Sequence, residues 1–88
     1  MDSIGRFIEV CCVKDDGEKI IVDDLYQAYR NYSTQLGTFA KSKQNFGEDL
    51  SKHGIDKKKS NSKNYRTGIT LNQEGWDHFQ RQPPIGRQ

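Results

Sequence analysis

No part of the chain constrains the architecture as tightly as Lys41-Ser-Lys-Gln-Asn-Phe-Gly-Glu-Asp-Leu-Ser-Lys-His-Gly-Ile55, continued by Asp56-Lys-Lys-Lys-Ser-Asn-Ser-Lys-Asn-Tyr-Arg-Thr-Gly-Ile-Thr-Leu71. Phe46, Leu50 and His53 recur at i, i+4 and i+7, which predicts a helix over about 43–53 with a narrow apolar stripe. Ser42 is placed to cap it and Gly54 to end it. Gln44, Asn45, Glu48, Ser51 and Lys52 then occupy a wide polar face. Ile55 opens a strand. Tyr65, Thr67, Ile69 and Leu71 alternate, the period of a half-buried strand. Between them, 56–64 is lysine, serine and asparagine, which cannot bury. The expectation is a hairpin with a long, flexible, basic tip.

Working outward, Gly37 closes a helix predicted over about 24–36. Leu25, Ala28, Tyr29, Tyr32 and Leu36 form its apolar face, and Asp23 or Asp24 is positioned to cap it. Upstream, Ile4, Phe7, Ile8 and Cys11 form one stripe of a first helix at about 3–13, with Asp2 or Ser3 as cap. Asp15-Asp16-Gly17 is a turn signal. Residues 18–22 are a short β-branched run, readable as a strand or as an extended linker. Downstream, residues 72–79 suit a short capped turn of helix that lays Trp76 and Phe79 on the core. Pro83-Pro84 ends regular structure, so 81–88 is expected to be a disordered tail after a domain over 1–80.

The predicted order is α-β-α-α-β-β plus a short C-terminal helical turn. That is an α+β winged helix: a helix-turn-helix with a small antiparallel sheet attached. Its second and third helices form the helix-turn-helix pair, and the basic hairpin is the wing.

With 88 residues, about a third of them apolar, the chain can form one small core. It has no apolar run of roughly 18 residues that could cross a bilayer and no secretory signal, which points to the cytoplasm and away from membranes. The adjacent Cys11 and Cys12 lack a second Cys or His pair at metal spacing, so neither a zinc site nor a disulfide framework is expected. Cys11 is read as buried and Cys12 as indifferent.

Charge is unevenly distributed. Residues 1–36 hold four basic and seven acidic side chains, whereas 41–66 hold eight basic and three acidic. Such a split argues for a directed electrostatic surface. The expected DNA-binding residues are Lys41, Lys43, Gln44, Asn45, Ser51, Lys52, Lys57, Lys58, Lys59, Lys63 and Arg66. The lysines and Arg66 suit phosphates. Gln44, Asn45, Ser51 and Lys52 could reach base edges. Glu48 is unfavourable beside phosphate. Tyr65 and Trp76 are assigned to the core in preference to base stacking.

His53 and His78 are far apart in sequence. His53 sits on the apolar stripe of its helix and is expected to be packed or half-exposed. The Asp15-Asp16 and Asp23-Asp24 pairs are explained by turn and cap duties. No glycine-rich phosphate loop and no nucleophile-base pair is visible, so no catalytic residue, metal or cofactor is expected.

Four short motifs occur in order: Phe7-Ile8-Glu9-x-Cys11-Cys12, Leu25-Tyr26-x-x-Tyr29, Phe46-Gly47-x-x-Leu50 ahead of Gly54, and Tyr65-x-x-Gly68-Ile69-x-Leu71. Over roughly residues 4–71 this series resembles the C-terminal winged-helix domain of phage, plasmid and virus-like primase-helicases, to which poxvirus primase-helicases are related. These proteins join a primase region to a superfamily 3 helicase core. The resemblance implies a non-catalytic DNA-binding domain of a replication protein that holds duplex or forked DNA. A further expected partner is the helicase core of the same or a neighbouring subunit, which the acidic first third could contact. Two other expectations stand beside it: a protein–protein docking module, and a stand-alone transcriptional regulator. The latter needs a dimer contact, for which no spare apolar helix is visible.

Overall fold

The computed structural model describes residues 3–80, with the side chain of Ser3 excepted. The expected Asp2 or Ser3 cap and the expected tail at 81–88 lie outside what it describes. Four helices and one sheet follow in the order α1 (Ser3–Cys11), β1 (Cys12–Ile21), α2 (Val22–Leu36), α3 (Lys43–Lys52), β2 (Asp56–Ser60), β3 (Lys63–Leu71) and α4 (Gln73–Gln80). The sheet is antiparallel with strand order β1-β3-β2, which leaves β2 on an edge. The α+β class and the expected order of elements are therefore present, with a winged-helix-like arrangement.

The core lies between the helices and one face of the sheet. Ile4, Phe7 and Cys11 of α1, Leu25, Ala28 and Tyr29 of α2, and Phe46 and Leu50 of α3 are fully buried. At its centre Tyr29 stacks on Phe46, ring centroids 4.8 Å apart, and Phe7 meets Tyr29 edge-on at 5.6 Å. Such pairs add about 0.5–1.5 kcal/mol each beyond their buried area. Two tyrosines also fix the α2–α3 connection. The Tyr29 hydroxyl accepts from the Lys41 backbone N–H, and the Tyr26 hydroxyl donates to the Lys41 carbonyl. The polar ends of core side chains thus set the entry to α3.

Several boundaries differ from expectation for physical reasons. β1 starts directly after α1, because Asn72 satisfies the carbonyls that α1 exposes at its end: its backbone N–H donates to Cys11 and its side-chain amide to Val10. The Asp15-Asp16-Gly17 signal is a genuine local turn, with the Asp15 carboxylate accepting from the Gly17 N–H. It sits inside β1, as an excursion between two paired segments. α2 starts at Val22 with Ile21 as its uncapped N-cap. Asp23 and Asp24 are therefore first-turn acids facing the helix dipole, not caps. Gly37 closes α2 in the left-handed region, φ 76°, as expected, but Leu36 is 58% exposed and not part of the core.

The expected flexible tip is also corrected. β2 and β3 pair down to Ser60–Lys63, and the loop is two residues, Asn61 and Ser62, both with positive φ. Backbone pairing needs no side-chain burial, and Asn tolerates the left-handed conformation of such a turn. α4 is longer than one turn. Asn72 caps it by accepting from the Gly75 N–H, and Trp76 and Phe79 pack edge-on against one another beside the core.

Candidate nucleic-acid interface

Ser42 accepts from the backbone N–H of Asn45 and so starts α3 at Lys43. Phe46 and Leu50 bury one edge of the helix. The opposite edge borders an open groove of about 690 Å³, whose other wall is the β2–β3 hairpin. From α3 the groove receives Lys43, Gln44, Glu48 and Ser51, and from β2 it receives Lys57, Lys58 and Lys59. Polar helix and basic hairpin therefore share one concave surface.

The cations differ in how free they are. Lys41 is ion-paired with Asp49 at 2.6 Å, and Lys52 lies 3.8 Å from the same carboxylate. Lys43 contacts Asp23. Among the described residues, no carboxylate lies within ion-pair distance of Lys57, Lys58, Lys59 or Lys63. Among the expected DNA-binding lysines, the uncompensated charge is thus on the hairpin. Lys63 begins β3 at the exposed hairpin end. Asn45 and Lys52 do not line the groove. At 100° per residue they fall on the flank of α3 shared by Asp49.

Arg66 departs most from expectation. Its charge and its place in the hairpin suit phosphate, yet it is 5% exposed. Its guanidinium donates to the carbonyls of Ile55 and Gly47, each at 3.0 Å, and to the Ser51 hydroxyl at 3.2 Å. The cause lies at Gly68, φ 76°, which sits opposite the β1 excursion and shifts the register. The shift reverses the alternation inferred from Tyr65, Thr67, Ile69 and Leu71. Arg66 turns inward beside Ile20, its cross-strand partner, while Tyr65 is only half-buried and carries Lys19 over its ring at 4.8 Å. Arg66 is therefore a strut: one side chain ties α3, the turn after it and the hairpin together. Its three partners are neutral oxygens, and burial lowers the guanidinium pKa from its ordinary value. Gly47 accommodates it, since a Cβ there would stand 3.1 Å from the nearer guanidinium nitrogen.

Elsewhere, His53 caps the end of α3 and is half-buried, in line with the sequence. Both cysteines are buried, which corrects the reading of Cys12. Burial pushes each thiol up to about 12, helped at Cys11 by the Glu74 carboxylate and at Cys12 by Cys11. Sequence spacing did not reveal that Cys11, Glu74 and His78 come together. The available signal was the Glu74-x-x-x-His78 step, which puts two ligating residues on one helix face. No helix among the described residues is long and apolar enough to cross a membrane.

A small α+β domain with winged-helix order and a groove between its third helix and a cationic hairpin is the class these features define. A family model described as Poxvirus D5 protein-like matches residues 1–80, and the chain belongs to that family. The match reaches past the motifs at 4–71 to include α4, and it is consistent with a domain associated with viral primase- and helicase-like proteins. No curated protein and no solved structure matches the chain.

Proposed function

We propose that this chain is a non-catalytic DNA-binding module of winged-helix type, acting in replication as the C-terminal part of a primase-helicase. Its ligand is the phosphate backbone of duplex or forked DNA. The observation that carries this reading is the shared groove: Lys57, Lys58 and Lys59 of β2 line the same space as Gln44 and Ser51 of α3, with Lys57 and Lys59 on the face of the sheet that Arg66 shares. Free lysines on one wall attract phosphate, and the amide and hydroxyl on the other can donate to phosphate or to base edges. Glu48 in the same groove disfavours close phosphate approach at mid-helix and shifts the expected contacts toward the hairpin.

The experiment is a binding titration against duplex and single-stranded DNA at several salt concentrations. Affinity should fall linearly on a log–log plot, as phosphate contacts release counterions. Absence of binding even at low salt would refute the reading.

A second reading is favoured by Phe39 and Leu36, which are 99% and 58% exposed at and beside the α2–α3 connection. Large apolar side chains in that position suit a protein partner, such as the helicase core of the same or a neighbouring subunit. The two readings place the contact on different residues, so mapping the bound surface separates them.

A further inference from the structure

Cys11 is sixty-odd residues from α4 in sequence, yet it meets that helix directly. Glu74 and His78 stand four residues apart on α4 and so share one face. Asn72 seats that face on the end of α1, with its hydrogen bonds to the Val10 and Cys11 carbonyls. Gly75 makes the approach close, since a Cβ there would lie 2.1 Å from the Cys11 carbonyl oxygen. The thiol sulfur, a carboxylate oxygen and an imidazole nitrogen consequently lie within 4.8 Å of one another. His78 itself is 7% exposed, and its Nδ1 is buried with no hydrogen-bond partner. Buried polar atoms are nearly always satisfied, so an orphaned nitrogen on the ring that meets the thiol and the carboxylate calls for a ligand.

We propose that Cys11, Glu74 and His78 bind a divalent transition-metal ion, with zinc the best match to a sulfur, nitrogen and oxygen donor set. Three protein donors and a water complete a tetrahedral shell, and bonds of about 2.0–2.3 Å require the donors to close to about 3.3–3.8 Å. Glu74 is exposed and can swing inward toward the two buried donors. The ring of His78 is held edge-on by Tyr32 at 5.4 Å, and its backbone carbonyl accepts from Asn31 at 2.7 Å. Binding forms a sulfur–metal bond and breaks the S–H bond. The proton passes to solvent, and no electron is transferred. The ion would join α4 to the end of α1, a useful cross-link in so small a core. Because the ion takes the thiolate and displaces its proton, affinity should rise with pH.

The test is titration of the reduced chain with Co²⁺ and then Zn²⁺. One equivalent of Co²⁺ should produce a thiolate-to-cobalt charge-transfer band that Zn²⁺ removes. Zn²⁺ should raise the melting temperature and release a proton, read from the buffer dependence of the binding enthalpy. The band should vanish in Cys11→Ser and persist in Cys12→Ser. Glu74→Gln, at an exposed position where folding is not at risk, should weaken binding by more than about tenfold, as should His78→Gln. Absence of the band in the unmodified chain would overturn the proposal. So would equal affinity in Glu74→Gln, or a band that follows Cys12.

Discussion

Arg66 is the side chain on which the groove depends, and it acts from inside the protein. Arg66→Ala would strand the Ile55 and Gly47 carbonyls and empty a buried site. The expected loss is about 2–4 kcal/mol of stability, read from the shift of a urea midpoint. If Arg66 instead served DNA alone, the variant would melt normally and bind poorly. The two thiols supply a second prediction. Each is pushed from an ordinary 9.0 up to about 12 in the folded state, so the folded form holds protons there that the unfolded form releases. Stability from this source is complete below about pH 9 and is lost as pH rises toward about 12. Denaturation midpoints should fall across that window, and Cys12→Ala should flatten the fall.

The hairpin is where periodicity alone misled. Alternation from Tyr65 to Leu71 correctly marked a strand, but a single left-handed residue at Gly68 exchanges its two faces upstream. A bulge leaves no mark in a period-2 pattern beyond the glycine itself, so Arg66 looked exposed and Tyr65 looked buried. The α3 segment was more legible. Ser42, Phe46, Leu50 and Gly54 encode its cap, its stripe and its stop locally, and the structure has all of them. The turn at Asn61-Ser62 yields a prediction for this element. Both residues have positive φ, 53° and 66°, and serine is a poor occupant of the second position. Ser62→Gly should stabilise the protein by about 0.5–1 kcal/mol, the relief of left-handed strain exceeding the added entropy of the unfolded chain. A lower urea midpoint in that variant would contradict the turn geometry.

For the assembled domain, what the sequence conveyed was polarity: an acidic first third and a basic stretch from 41 to 66. It did not convey which cations are compensated. Lys41 and Lys43 find their carboxylates only once α2, α3 and their connection are packed together, whereas Lys52 meets Asp49 within α3 itself. The union of Cys11 with His78 is likewise a product of tertiary packing. The lysines of β2 also protect an exposed sheet edge from pairing with other chains, a role they would keep without any DNA. Salt dependence distinguishes the two roles. Replacing Lys57, Lys58 and Lys59 by Ala should reduce the slope of log K against log salt by about 0.9 for each lost phosphate contact, so by about 2–3 in all. An unchanged slope would restrict these residues to edge protection.

The most direct test of the groove is chemical-shift mapping of the isotope-labelled chain during titration with a short DNA duplex at low salt. The expected shifts fall on the backbone amides of Gln44, Ser51, Lys57, Lys58 and Lys59, with Phe39 and residues 15–18 unmoved. Shifts confined to Phe39 and Leu36, or none along α3 and β2, would contradict a nucleic-acid groove between helix and hairpin.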